Sequence, residues 1–191
     1  MTVKLAAIWG MPGKFAWVNA RAQWEGTDVR GIGVGIILCT VATAAMAQEP
    51  LAPPAGAKRL LEVSAHGVQI YVCEPKDQGF AWVFDAPDAT LFDAQGRQIG
   101  THSNGPTWKL ADGSEVLGEV IAKQPSPNQG SIPWLLLKVK SHQGSGQLGA
   151  ATTVRRIETK GGAEPSGGCD AAHKGEVARV GYSATYQFFG Q

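Results

Sequence analysis

The chain has 191 residues, 43% of them hydrophobic, with 17 Lys and Arg against 16 Asp and Glu and a formal net charge of +1. No basic run occurs beyond the pairs Lys58-Arg59 and Arg155-Arg156, so binding nucleic acid through counterion release is excluded as a principal function.

Residues 1–28 show no clear periodicity. The run from Gly31 to Ala47, GIGVGIILCTVATAAMA, follows Arg30 and ends in Ala45-Met46-Ala47 before Gln48. A basic residue, an apolar stretch and small residues at the −3 and −1 positions predict a secretory signal peptide over 29–47, cleaved between Ala47 and Gln48. A start at Val29, through a GUG codon, would put this signal at the N-terminus and leave 1–28 as an extension outside the product. The rival reading is a retained membrane anchor, for which the 17 apolar-run residues are at the short limit. The signal predicts a periplasmic or extracellular protein, with no stable membrane insertion after cleavage. Cys39 is lost with the signal.

Cleavage leaves 144 residues, Gln48 to Gln191, with 13 Lys and Arg against 14 Asp and Glu. That length suits one domain with a single core. Residues 48–57, QEPLAPPAGA, are expected to be a flexible proline-rich lead-in. Over 58–191, short apolar segments alternate with turn signals. Gly67 to Cys73 puts Val68, Ile70 and Val72 on one face. Phe80 to Phe84 is continuous and aromatic, and Asp85 before Ala86-Pro87 is expected to cap or bend its end. Ala89 to Phe92 runs into the turn Asp93-Ala94-Gln95-Gly96, after which Arg97 to His102 resumes. Thr107 to Leu110 precedes the turn Asp112-Gly113, and Glu115 to Lys123 follows. Ile132 to Val139 is strongly apolar, Ala151 to Thr159 alternates, and 161–174 form a long glycine-rich loop. Arg179 to Phe189 is the clearest strand, with Val180, Tyr182, Ala184, Tyr186 and Phe188 on one face. The spacing predicts a single all-β domain, a sandwich or barrel with long Gly-rich loops.

Cys73 and Cys169 remain after cleavage. An even pair in an oxidising compartment predicts one disulfide; the other readings are two free thiols or part of a metal site, and two thiols alone do not complete a zinc shell.

The strings GVQIYVCE, WVFDAPDATLFD, THSNGPTW followed by DGS, IPWLLL, RRIETKGG, P-x-x-x-C and RVGYSATYQFF occur in this order from about Ala57 to Phe189. Together they resemble the DUF3455 family, a domain of unknown function. The resemblance implies an exported protein of β-rich architecture. It supplies no catalytic residue to carry over.

The densest polar and aromatic block is His102 to Trp108 with Asp112-Gly113-Ser114. His, Ser and Asp so close suggest a hydrolase, but His102 and Ser103 are neighbours and point to opposite faces of a strand, and Asp112 to Ser114 serve a turn. His66, His102, His142 and His173 show no metal-ligand spacing, so no metal or other cofactor is expected. Trp82 and Trp134 sit within apolar strands and are expected in the core. Trp108, after Gly-Pro-Thr, is expected to be a loop-proximal aromatic platform for a ligand. Of Arg155 and Arg156, one is expected inward against a carboxylate and the other in solvent; the Tyr182 and Tyr186 stripe is expected to be core. The reading that follows is a non-enzymatic binding protein for a small molecule, glycan or envelope component, with His102, Asn104, Trp108 and Asp112 as ligand-binding candidates. The alternatives are a hydrolase of an envelope or extracellular polymer, using His102 with Asp85 or Asp112, and a structural envelope protein without a ligand.

Overall fold

One antiparallel sheet makes up the domain, and it closes on itself. The structure, a computed structural model, describes residues 50–191. The extension 1–28, the signal 29–47 and the Ala47/Gln48 junction lie outside the described residues. Eight strands follow in chain order: β1 (Lys58–Lys76), β2 (Gly79–Phe92), β3 (Gln98–Ser103), β4 (Thr107–Leu110), β5 (Glu115–Gln124), β6 (Trp134–Gln143), β7 (Thr153–Gly161) and β8 (Val177–Gly190). Each pairs antiparallel with the next, and β8 returns to β1, so the all-β domain is a closed barrel rather than a sandwich. Closure leaves no free sheet edge around the ring, and one face of every strand points to a common interior. Among the described residues no helix is long and apolar enough to cross a membrane.

The interior is filled at one end. Val63, Ala65, Leu91, Leu110, Val116, Val139, Val154 and Phe188 pack there, with Leu148 from the β6–β7 loop fully buried among them. Asp112 holds that loop: its carboxylate accepts from the backbone N–H of Ser114 (2.9 Å), the Ser114 hydroxyl (2.6 Å) and the backbone N–H of Gln147 (2.8 Å). The lead-in is not a free tether over its described part, because Leu51 is buried.

The other end is extended. β1 and β2 run on as a hairpin to Lys76 and Gly79, whereas β3 pairs β2 only from Ala89 to Phe92. The strand end expected at Asp85 is absent, because Phe80–Phe84 and Ala89–Phe92 belong to one strand, but the bend expected there is present. Asp85 is skipped in the ladder between the Tyr71↔Phe84 and Ile70↔Ala86 pairs, a bulge that bends β2. Pro87 lies where β2 has no β3 partner, so its missing N–H costs no ladder bond on that side. Cys73 and Cys169 form a disulfide with Cα atoms 5.4 Å apart, tying the end of β1 to the β7–β8 loop. That loop is laced further by Cys73 N–H to Glu176 O (2.9 Å), Gly175 N–H to Cys73 O (2.8 Å) and Trp82 Nε1 to Gly167 O (2.8 Å).

Candidate binding cavity

Beyond the packed end, the inward positions change character from aliphatic to polar and aromatic. On β1 they are Gln69 and Tyr71, so Val68, Ile70 and Val72 form the outer face of that strand. On β3, β4, β7 and β8 they are His102, Trp108, Arg156 and Tyr186. These side chains surround a cavity of about 640 Å³, open at the extended end between Phe84, the Asn104–Pro106 turn, Lys123 and Glu164. The volume falls within the range of about 300–1,000 Å³ typical of small-molecule sites.

His102 and Trp108 are cross-strand partners, and their rings stack at 4.5 Å with an interplanar angle of 7°. Tyr186 meets both edge-on, at 5.0 Å from His102 and 5.3 Å from Trp108. Glycine at 118 makes room for the indole, because a Cβ there would lie 2.9 Å from Trp108 Cζ3. His102 Nδ1 is 2.8 Å from Thr107 O. A carbonyl only accepts, so Nδ1 carries the proton and Nε2 of the neutral ring is an acceptor. Burial holds the His102 pKa down at about 4, with Arg156 acting in the same direction and the Thr107 bond opposing it.

Arg156 stands between Leu135 of β6 and Tyr186 of β8 in the ladder. Its Nε and Nη2 donate to Pro133 O, at 3.1 and 2.8 Å. It is 9% exposed, and among the described residues no carboxylate lies within salt-bridge distance of it. The expectation of a carboxylate partner for the inward arginine is thus replaced by a carbonyl. Arg155 faces out, donating to Gln187 Oε1 (2.9 Å) and lying 5.6 Å from the Phe189 ring centroid.

Several buried polar atoms here lack partners: Gln69 Nε2, Trp108 Nε1, Tyr182 OH and Tyr186 OH. The Tyr182 hydroxyl lies within reach of Gln69 and Tyr186, and the Tyr186 hydroxyl within reach of Arg156, but none of these contacts is a hydrogen bond of good distance and angle. Burial raises the pKa of both phenols, which stay protonated. Tyr71 is satisfied, donating to Gly162 O at 2.6 Å.

A family model described as a protein of unknown function (DUF3455) matches residues 54–190. The chain belongs to the DUF3455 family. No curated protein and no solved structure matches it.

Of the candidates read from the sequence of this DUF3455 domain, His102, Asn104 and Trp108 line the cavity, and Asp112 does not. Asp112 sits on the β4–β5 turn, and the Gln147 and Ser114 bonds hold its pKa below the ordinary carboxylate value. Trp108 is not an exposed platform; it is 1% exposed, because it is the second residue after the turn and faces inward. Trp82 and Trp134 are half-buried. Gln69, Tyr71, Arg156 and Tyr186 were not singled out as site residues by their sequence context. The two tyrosines and Gln69 sit in ordinary alternating strands, and only the Arg155-Arg156 pair was a signal, because neighbours on a strand face opposite sides and one arginine must point inward. Among the described residues, no group of three or more His, Cys, Asp or Glu could hold a metal ion.

Proposed function

We propose that this domain is an exported, non-enzymatic binding protein that holds a small molecule inside the barrel. One observation carries the reading: buried donors that make no hydrogen bond of good geometry, on Gln69, Trp108 and Tyr186, border a cavity of about 640 Å³. Buried polar groups are nearly always hydrogen-bonded, and leaving one unmet costs about 1–3 kcal/mol. A ligand with acceptor oxygens would satisfy these donors while its apolar body covers the aromatic rings and the three lining prolines, Pro87, Pro106 and Pro133. The enclosed position of Trp108 supports a small molecule over a long glycan, which needs an exposed stacking ring.

The geometry gives little support to a hydrolase. His102 Nδ1 is taken up by a backbone carbonyl, so no carboxylate orients the ring, and neither Asp85 nor Asp112 borders the cavity. Native mass spectrometry of protein recovered from periplasm and culture medium tests the reading. A co-purifying small molecule, released on denaturation and absent from a variant in which a lining residue is enlarged to fill the cavity, Leu135→Trp, is the expected result. Protein with no bound mass, whose tryptophan emission and melting temperature respond to no compound in a diverse library, would overturn it.

A further inference from the structure

The cavity contains one buried charge, and that charge selects among ligands. Resting on the binding reading above, we infer that the ligand is a monoanionic amphiphile whose carboxylate is held by Arg156, with Tyr186 as its nearest supporting donor and the apolar body directed toward Phe84 and the open end.

The argument begins with the cost of the arginine. Taking a guanidinium out of water is expensive unless a counter-charge and full hydrogen bonding replace the lost hydration. Among the described residues the Pro133 carbonyl is the acceptor that Arg156 meets with good geometry, through Nε and Nη2; Nη1 makes no such bond, and the Tyr186 hydroxyl lies within reach of the guanidinium. The carbonyl fixes one edge of the planar fork and holds the rest of it preorganised. Every polar neighbour inside is a neutral group able to donate: the phenols are protonated and Trp108 Nε1–H has no acceptor. The one cavity-lining carboxylate, Glu164, is exposed on the β7–β8 loop at the mouth, and Lys123 is exposed on the opposite rim. The two rim charges offset each other, so the interior keeps a net single positive charge. His102 adds none, since the neutral ring is the stable form there.

The lone cation rejects an ammonium head, which would bring like charge beside Arg156. A neutral alcohol or ester satisfies the hydrogen bonds but leaves the charge. A carboxylate does both.

Four compounds with one dodecyl body separate these cases: dodecanoate, methyl dodecanoate, dodecanol and dodecylamine. Each is titrated into the oxidised protein at neutral pH and below its micellar concentration, following tryptophan emission and the heat of binding. Dodecanoate is expected to bind about tenfold to a hundredfold tighter than the ester or alcohol, as for hydrogen bonds to a charged group, and the amine not measurably. In Arg156→Met the preference should collapse to within a fewfold while dodecanol still binds. Arg156→Lys should keep part of it, having charge without the fork. Equal binding of acid, ester and alcohol to the unmodified protein would overturn the anion assignment and leave the cavity reading standing. Failure of all four, with ligands of other shapes also failing, would overturn both. Because the decisive comparison is made on the unmodified protein, it survives a variant that does not fold.

Discussion

His102 is neutral inside the barrel because burial removes the water that would solvate an imidazolium, and its folded pKa is held at about 4 against the ordinary value of 6.5. The linkage has a definite sign. Above pH 6.5 the ring is neutral in both folded and unfolded chains, and its contribution is fully present. Between that value and about 4 the unfolded chain takes up a proton that the native one refuses, so stability falls by about 1.4 kcal/mol per pH unit. His102→Asn keeps a donor for Thr107 O and cannot titrate. Urea unfolding at pH 7 and pH 4.5 should therefore show the unmodified protein losing about 2–3 kcal/mol more than the variant over that interval. Parallel losses would mean that His102 is not the group resisting protonation. Gly118 makes a second prediction at this scale. A methyl at 118 would press on Trp108 Cζ3 at 2.9 Å and Leu137 Cδ2 at 3.3 Å, both in a packed wall. Gly118→Ala should cost about 1–3 kcal/mol and shift the Trp108 emission; a silent substitution would show that the indole has space to move.

Among the elements, the β4–β5 turn and the β6–β7 loop act as one closure for the packed end, because Asp112 bonds to both and Ser114 Oγ in turn accepts from Leu148 N–H at 3.3 Å. Asp112→Ala should free the loop carrying Leu148, lowering the melting temperature by about 2–6 °C while ligand affinity at the far end stays within twofold. A variant that loses affinity without losing stability would instead place Asp112 in the binding machinery. What the sequence made legible follows the same division of local from distant causes. β8 was readable because its inner face alternates throughout, and the turns at Asp93 and Asp112 because their carboxylates bond within four residues, as at Arg97 N (2.9 Å) and Ser114 N (2.9 Å). β2 was read as two pieces, since Pro87 normally ends a strand; its tolerance depends on β3 being short, which β2 itself does not encode. The inner face of β1 was hidden for a physical reason. At that level the barrel encloses a cavity rather than a core, so Gln69 and Tyr71 point in and the more apolar Val68 and Ile70 point out. Trp108 likewise meets Tyr186 across the closed ring and Arg156 meets it through the β7–β8 ladder, contacts between separate segments that local pattern does not carry.

For the whole molecule, the decisive joint is between its two ends. β1 and β8 pair from Lys58↔Gly190 to Val72↔Val177, and without that ladder the sheet is open and the cavity has no wall at Tyr186. Contacts so distant in sequence are slow to form, because loop closure must be completed before any contact rewards it. The Cys73–Cys169 bridge stands one residue beyond the Val72↔Val177 pair, with a sequence separation of 96. In the unfolded chain it therefore holds the β1 and β8 ends near their native register. The chain-entropy relation gives about 4–5 kcal/mol for a loop of this length. Replacing both cysteines with alanine should lower stability by about that amount, and the loss should fall mainly on the folding rate, since the tether acts before the ring closes. Stopped-flow folding and unfolding in urea separates the two arms. A folding arm slowed by a factor of ten or more, with unfolding little changed, is the expected result. An unchanged folding arm with faster unfolding would show that the bridge acts late instead, clamping the β7–β8 loop onto a barrel that has already closed.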